Sequence, residues 1–277
     1  MQQLGVSAIH PLAPEFLSAA ALFSAPIDLE RAIGRLNSLW KVGAVPEWAT
    51  APDGPHAPHR DGRIMHFELN GTQVLLSAVP EQLTPPKGTL PEHSDYVAIT
   101  LYTPATPAQE KQSSDHEAQE IPTNHAAVAR RRAAVTAHII LTQLADALMH
   151  EPGAVGVFRS ELGVVQPPEM IHELAPLLTQ GQVPLPLWVN IRLQNPDLTV
   201  GRTLGMPLFG HLDLEVLEST HPAEAVYAEL ANIATYIITG DAYLLPGQSV
   251  GSSEGERIAI TQELSPLDST PVIRIMY

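Results

Sequence analysis

The sequence predicts an α+β protein with mixed or antiparallel sheets, packed helices and a suggested division into two lobes. Hydrophobic residues make up 44% of the 277 residues, which is enough for a buried core. Runs with strand and helix periodicity follow one another irregularly, without the steady βαβα order of a doubly wound fold. Turn signals separate several of these runs, and none of them belongs to a repeated unit.

The first third of the chain predicts a strand, a helix and a hairpin. Residues 19–24 form a short apolar run, and Asp28 lies where the N-cap of a helix belongs. The apolar face of that helix consists of Leu29, Ala32, Ile33, Leu36 and Trp40. Asn70-Gly71 lies between the apolar runs 64–69 and 73–79, and both of its residues tolerate positive φ, so a tight hairpin is expected.

The middle of the chain predicts a strand, a polar segment and a long helix. Residues 96–102 are apolar and aromatic, whereas residues 103–124 are polar and contain proline without an apolar period. The polar segment is therefore expected to be an exposed loop. Thr123 or Asn124 is expected to cap a helix that runs to about His150 and stops at the sequence Glu-Pro-Gly.

The C-terminal half predicts further strands around two helices. The first helix opens at Pro167 and Pro168, and Pro176 is expected to kink or end it. The second helix begins near Pro222 and ends near Gly240. Strands are expected at residues 154–158, 187–193, 208–217, 243–245, 257–261 and 272–277. In the run 208–217, alternation places Leu212, Leu214 and Val216 on one face and Asp213 and Glu215 on the other.

Together these elements suggest three segments. Residues 1–110 form an N-terminal α+β lobe, residues 111–124 form an exposed linker, and residues 125–277 form a C-terminal α+β lobe.

Composition excludes several classes of protein. Fifteen basic and thirty acidic residues give a net charge of −15, which argues against a nucleic-acid binder. The sequence lacks an apolar run long enough to span a membrane and lacks the Gly-rich nucleotide-binding motifs, so neither a membrane span nor a cofactor is expected. The absence of cysteine removes disulfides and thiolate chemistry. With no signal peptide evident at the N-terminus, a cytoplasmic location is expected.

Five phrases in the second half carry a family resemblance. They are GVFRSELGVVQPPEM (156–170), LPLWVNIRL (185–193), TLGMPLFGHLDLEV (203–216), ANIATYIITGDAYLLPGQSVGSSEGERIAI (231–260) and the closing SPLDSTPVIRIMY. In this order they resemble a bacterial family catalogued as domain of unknown function number 4261, most strongly from about residue 154 to the C-terminus. The resemblance implies a related fold, no known reaction, and a setting among bacterial toxin, immunity and secretion proteins.

Ser249 lies in the sequence Gly-Gln-Ser-Val-Gly, which matches the G-x-S-x-G nucleophile elbow. A hydrolase needs a strand before this turn, a helix after it and a histidine further along the chain. Pro246 precedes the turn, a strand-like run follows it, and no histidine lies downstream. A glycine-rich hairpin turn is therefore the preferred interpretation, with hydrolysis as the alternative.

Two groups of residues that include histidine are candidates for chemistry. His56, His59 and His66 are a weak metal-binding alternative, since two of them lie in a proline-broken loop rather than on a rigid element. Glu169 and His172 are three residues apart on a helix and so share a face, where they suggest a general acid–base pair. The plainer interpretation is a first-turn acid that complements the helix dipole, beside a solvated histidine. No metal site is expected.

The favoured function is a non-catalytic binding protein, of an immunity or adaptor type, that occludes a basic protein partner. The candidate partner-binding residues are Glu110, Asp115, Glu117 and Glu120, which cluster in the polar segment. The alternatives are a hydrolase that uses Ser249 or the Glu169/His172 pair, and an assembly protein that adds a strand at a sheet edge. The oligomeric state stays open.

Overall fold

The α+β class is confirmed by a computed structural model, which describes residues 9–50, 63–104, 121–194, 197–251 and 257–277. Within these ranges the chain forms five α-helices and thirteen strands in two sheets. The described residues belong to two compact units. The seven-stranded unit is drawn from the ranges 15–104 and 136–187, and the six-stranded unit from the ranges 9–14, 121–135 and 188–277. The linker proposed at 111–124 lies mostly outside the described residues, and the division into lobes stays a prediction.

The sheet of the seven-stranded unit is antiparallel throughout, in the order β2-β3-β4-β5-β1-β6-β7. Its strands are β1 (Phe16–Phe23), β2 (Glu47–Thr50), β3 (Arg63–Leu69), β4 (Thr72–Val79), β5 (Asp95–Tyr102), β6 (Ala154–Arg159) and β7 (Val164–Gln166). The predicted hairpin is confirmed between β3 and β4, where Asn70 and Gly71 have φ angles of 50° and 77°. Alternation buries Val97, Ile99 and Leu101 on one face of β5.

Three helices contribute residues to this unit: α1 (Leu29–Trp40), α2 (Ile121–Met149) and α3 (Pro168–Leu174). Asp28 caps α1 as predicted, since its carboxylate accepts from the amide of Arg31 at 3.0 Å. Helix α2 begins before the predicted cap, and only its part from residue 136 onward belongs to the seven-stranded unit. Helix α3 ends before Pro176, as expected, and a 3₁₀ turn follows it over Ala175–Gln180.

The sheet of the six-stranded unit is mixed, in the order β11-β12-β13-β10-β9-β8. Its strands are β8 (Asn190–Gln194), β9 (Thr199–Leu204), β10 (Leu214–Ser219), β11 (Ser249–Gly251), β12 (Arg257–Leu264) and β13 (Pro271–Ile275). Strands β10 and β13 run parallel, and the other neighbours are antiparallel. Helix α5 (Ala223–Thr239) packs on β8, β9 and β10 and buries Val226, Leu230, Ile233 and Ile237.

Three of the predicted strands were placed wrongly. The run 187–193 starts with the end of a short helix, α4 (Leu185–Trp188), and becomes a strand only at Asn190. The run 208–217 starts in a 3₁₀ turn, Met206–Phe209, because glycines with positive φ flank it on both sides. The strand begins at Leu214, and both Asp213 and Glu215 are buried. Residues 243–245 do not form a strand.

Across the described ranges, every helix is too short or too polar to cross a lipid bilayer.

Candidate metal centre

Asp146, His150 and His172 converge in the seven-stranded unit. Asp146 lies in the last turn of α2 and His150 directly follows the helix, so their four-residue spacing places both side chains on one side of this helix end. His172 comes from α3. The Oδ1 atom of Asp146 lies 3.7 Å from Nδ1 of His150, and the His150 and His172 ring centroids are 4.0 Å apart. One ligand atom from each of the three residues lies within 4.8 Å of the other two.

Hydrogen bonds determine which atoms face the centre of this cluster. The indole Nε1–H of Trp40 donates to Oδ2 of Asp146 at 3.0 Å, so Oδ1 is the oxygen that remains beside the histidines. His150 Nδ1 lies 2.8 Å from the backbone oxygen of Asp146. A carbonyl oxygen only accepts, so Nδ1 carries the proton and Nε2 keeps its lone pair. This pattern of outer hydrogen bonds is the one that orients metal-binding carboxylates and imidazoles in proteins.

The third side chain leaves a polar atom without a partner. The Nε2 atom of His172 is buried, and no hydrogen-bond partner reaches it from any residue that the structure describes. Buried polar atoms are normally paired because an unpaired one costs about 1–3 kcal/mol. A ligand at this nitrogen would remove that cost.

The electrostatics of the cluster favour a bound cation. Burial raises the pKa of the Asp146 carboxyl, while His150 and then the Trp40 hydrogen bond oppose the rise. Burial also lowers the pKa of His172, an effect that His150 reinforces and Asp146 opposes. Burial is the main cause of both shifts, although His172 is only half-buried and His150 beside it is exposed. A divalent ion would stabilise the carboxylate and the neutral imidazoles together.

Helix α1 fixes the end of α2 that carries two of the three groups. Glu151 follows His150, and only 1% of its side chain is exposed. Its carboxylate pairs with Nε of Arg31 and with Nε of Arg35, the second at 3.0 Å. Because Trp40 is the last residue of the same helix, α1 holds the end of α2 through two separate sets of contacts.

Two imidazoles and one carboxylate are ligands for divalent first-row transition ions. Zinc and non-haem iron(II) both use this combination of side chains. Ligand atoms about 2.1 Å from a tetrahedral zinc ion are about 3.4 Å apart, so small side-chain rotations must bring the three groups closer on binding. Three protein ligands leave at least one coordination position open to water or to another molecule.

The cluster contains one predicted residue and two that sequence reasoning missed. His172 was predicted, but with Glu169 as its partner. Glu169 is exposed one turn earlier on α3; it raises the pKa of His172 and makes no hydrogen bond to it in the described structure. The missed signal was Asp146-x-x-x-His150 at the end of a long helix, a spacing that places two ligands on one face.

The other candidate residues do not join this cluster. Ser249 is exposed at the start of β11 and pairs with Ala259 in an antiparallel hairpin. The turn before it uses Gly247 at a φ of 85° and leads into a strand, so the strand–turn–helix context of a nucleophile elbow is missing. His66 lies half-buried on β3, opposite Glu47. His56, His59 and the four acids Glu110, Asp115, Glu117 and Glu120 lie outside the described residues.

The fold and the cluster define an α+β protein with two sheets and a candidate metal centre in one of its units. Residues 202–276 match the model of a protein family, DUF4261, described as a domain of unknown function. The match confirms the resemblance seen in the sequence for this C-terminal part of the chain, which belongs to the six-stranded unit. Comparison with curated proteins and with solved structures finds no match.

Proposed function

We propose that the protein binds a divalent transition-metal ion through Asp146, His150 and His172. The observation that carries this proposal is the convergence of three ligand atoms within 4.8 Å of one another. Support comes from the buried, unpartnered Nε2 of His172 and from the hydrogen bond that fixes Asp146. Because the described residues offer three ligand groups, the ion bound by them has an open side for small ligands.

The test is a titration of the full-length, untagged chain with Zn²⁺, and with Co²⁺ as a spectroscopic substitute. We expect one ion per chain, with visible Co²⁺ bands whose intensity reports a low coordination number. Asp146→Asn, His150→Gln and His172→Gln remove one ligand each while keeping the side chains similar in size. Each should weaken binding at least about 10-fold, since even residues that only support a ligand contribute 10- to 100-fold to metal affinity.

His66→Gln is the matched control. It removes a half-buried histidine of the same unit and also tests the alternative histidine group, of which His66 is the one described member. Its affinity for Zn²⁺ should equal that of the unaltered protein. Binding that survives in all three cluster variants, or that is lost in His66→Gln, would rule out the proposed centre.

A second candidate function is the capture of a basic protein, in the cytoplasm and in an immunity or adaptor role. The net charge of −15 favours it. Six arginines are also engaged in ion pairs with acids of the same chain. These pairs are Arg31 and Arg35 with Glu151, Arg131 and Arg132 with Asp241, and Arg202 and Arg274 with Glu215.

This second candidate is tested by its dependence on salt and on four acids. Glu110, Asp115, Glu117 and Glu120 are neutralised to Gln or Asn, and both proteins are used to capture partners at about 0.1 M and 1 M salt, where the Debye length falls from about 10 Å to about 3 Å. Capture of a basic protein should weaken with salt and with the substitutions. A partner held equally in all four conditions would rule out the electrostatic mechanism.

A further inference from the structure

Trp40 contacts the proposed metal centre without being a ligand. Its indole N–H donates to Oδ2 of Asp146 at 3.0 Å. The other carboxylate oxygen, Oδ1, lies 3.7 Å from Nδ1 of His150, the nitrogen that bonds to the backbone, and is therefore the oxygen beside the histidine ring. The two oxygens of Asp146 therefore have different surroundings: Oδ2 accepts the indole hydrogen bond, and Oδ1 faces the histidines.

We infer that Trp40 is the positioning residue of the centre: its indole N–H holds Oδ2 so that Asp146 binds the ion through Oδ1 alone. This inference rests on the proposed metal-binding function. Without the indole, a buried Asp146 would have an unpaired oxygen, and its carboxylate would be free to turn or to bind the ion through both atoms. The bond thus determines both the orientation and the number of ligand atoms.

The indole is well placed for this role because helix α1 is anchored. Ile33 and Leu36 are buried on the inner face of α1, and Arg31 and Arg35 pair with the buried Glu151. Lys41 then adopts a left-handed conformation, with φ of 54°, and ends the helix directly after Trp40. The indole N–H is consequently presented from a rigid element, as preorganised support of a site requires.

The chain contains a matched control for this bond. Trp48 donates its indole N–H to Glu30 at 3.0 Å in the same unit, but outside the metal cluster. Trp40→Phe and Trp48→Phe therefore each remove one indole–carboxylate hydrogen bond. Only the first removes one that supports a ligand.

The experiment compares Zn²⁺ affinity and the Co²⁺ spectrum in the two variants and in the unaltered protein. Trp40→Phe should weaken Zn²⁺ binding about 10- to 100-fold and change the Co²⁺ bands, because the coordination of Asp146 changes. Trp48→Phe should leave both unchanged. If Trp40→Phe folds and binds Zn²⁺ with unaltered affinity and spectrum, the positioning role is wrong. If the unaltered protein binds no Zn²⁺, the proposed function itself has failed, and that result is seen before any variant is compared.

A measurement on the unaltered sequence covers the case in which Trp40→Phe does not fold. The chain has three tryptophans, and ¹⁵N labelling of their indoles gives one resonance each. Trp48→Phe and Trp188→Phe identify the signals of those two residues, so the remaining signal belongs to Trp40. Paramagnetic Co²⁺ should shift and broaden this Trp40 signal. Addition of one equivalent of Zn²⁺ should also move the Trp40 signal. A Trp40 signal that neither ion affects would overturn the inference.

Discussion

The imidazole rings of His10 and His211 stack with their centroids 4.0 Å apart inside the six-stranded unit, and both bond to the same two backbone positions. His10 donates from Nε2 to the oxygen of Leu244 at 2.9 Å and accepts the amide of Leu212 at Nδ1 at 3.1 Å. His211 donates from Nδ1 to the oxygen of Leu212 at 2.7 Å and accepts the amide of Leu244 at Nε2 at 3.1 Å. These four hydrogen bonds form a closed circuit between the two rings and the two backbone positions. All four can exist together only if both rings are neutral and in opposite tautomers.

This circuit predicts acid sensitivity. Burial, as the main cause, lowers the pKa of His10 to about 4 and that of His211 well below its usual value. Below about pH 6.5, the two histidines bind protons in the unfolded chain but stay neutral in the native protein. The free energy of unfolding should therefore fall as the pH drops from about 6.5 towards 4. His10→Ala should cost about 1–3 kcal/mol at pH 7 for each backbone group left unpaired. Urea unfolding at several pH values should also show a shallower pH dependence in the variant.

Asp213 supplies the control for this pH dependence, since its effect has the opposite sign. Burial raises the pKa of Asp213 to about 6, although hydrogen bonds from Met206 and Thr203 oppose the rise. The native carboxyl thus holds a proton more tightly than the unfolded one, and this contribution to stability grows as the pH falls from about 6 to 3.8. Asp213→Asn should therefore make the acid loss of stability steeper. An unchanged slope in both variants would assign the acid sensitivity to other groups.

The sequence predicts well those elements whose signals come from a few neighbouring residues. The Asp28 cap and the Asn70-Gly71 turn depend on a few neighbouring residues, and the structure confirms both. The strand placed at 208–217 failed for a reason that is not local. Acids that alternate with apolar residues along a strand usually face solvent, but Arg202 and Arg274 reach Glu215 from neighbouring strands and allow it to be buried.

The residues of the candidate metal centre also differ in whether the sequence alone relates them. Asp146 and His150 are related by helical spacing, which a sequence reveals, but His172 joins them only through the packing of a second helix. Trp40 lies 106 residues from Asp146, and its role depends on the same packing. Predicting the complete cluster requires knowing which helix ends meet, and no motif in the sequence encodes that contact.

Glu215 should be the most sensitive charged residue of the six-stranded unit. None of its side chain is exposed; it lies 2.9 Å from Nη2 of Arg274 and accepts a hydrogen bond from Ser265 at 2.6 Å. Glu215→Gln removes the fully buried carboxylate that two guanidinium groups share and leaves them only the partly exposed Asp268 and Glu263, so it should cost about 3 kcal/mol of unfolding free energy. Glu263→Gln is the control, since that side chain also contacts Arg274, at 3.4 Å, but is 46% exposed. This substitution should lower the unfolding free energy by less than about 1 kcal/mol. Equal losses in urea unfolding would contradict the assignment.

Two glycines should respond to alanine in opposite directions. A Cβ at Gly201 on β9 would lie 2.8 Å from both Val226 and Leu230 of α5, so Gly201→Ala should destabilise the protein by about 1–3 kcal/mol through overpacking. Gly34 is exposed in α1 and has open space around it. There the substitution should stabilise by about 0.5–1 kcal/mol, because alanine loses less entropy in a helix. Thermal unfolding of both variants checks the two signs, and a neutral Gly201→Ala would show that α5 shifts easily.

Ser249 should behave as an ordinary turn residue rather than as a nucleophile. Its side chain is exposed on the edge strand β11, a strand instead of a helix follows the turn, and no histidine of the described ranges hydrogen-bonds to its hydroxyl. A serine without a base to take its proton is a weak nucleophile at neutral pH. Ser249→Ala should change the unfolding free energy by less than about 0.5 kcal/mol, as expected of a surface site. A fluorophosphonate probe should leave the native protein unlabelled, with heat-denatured protein as the background; labelling that Ser249→Ala abolishes would instead favour the hydrolase alternative.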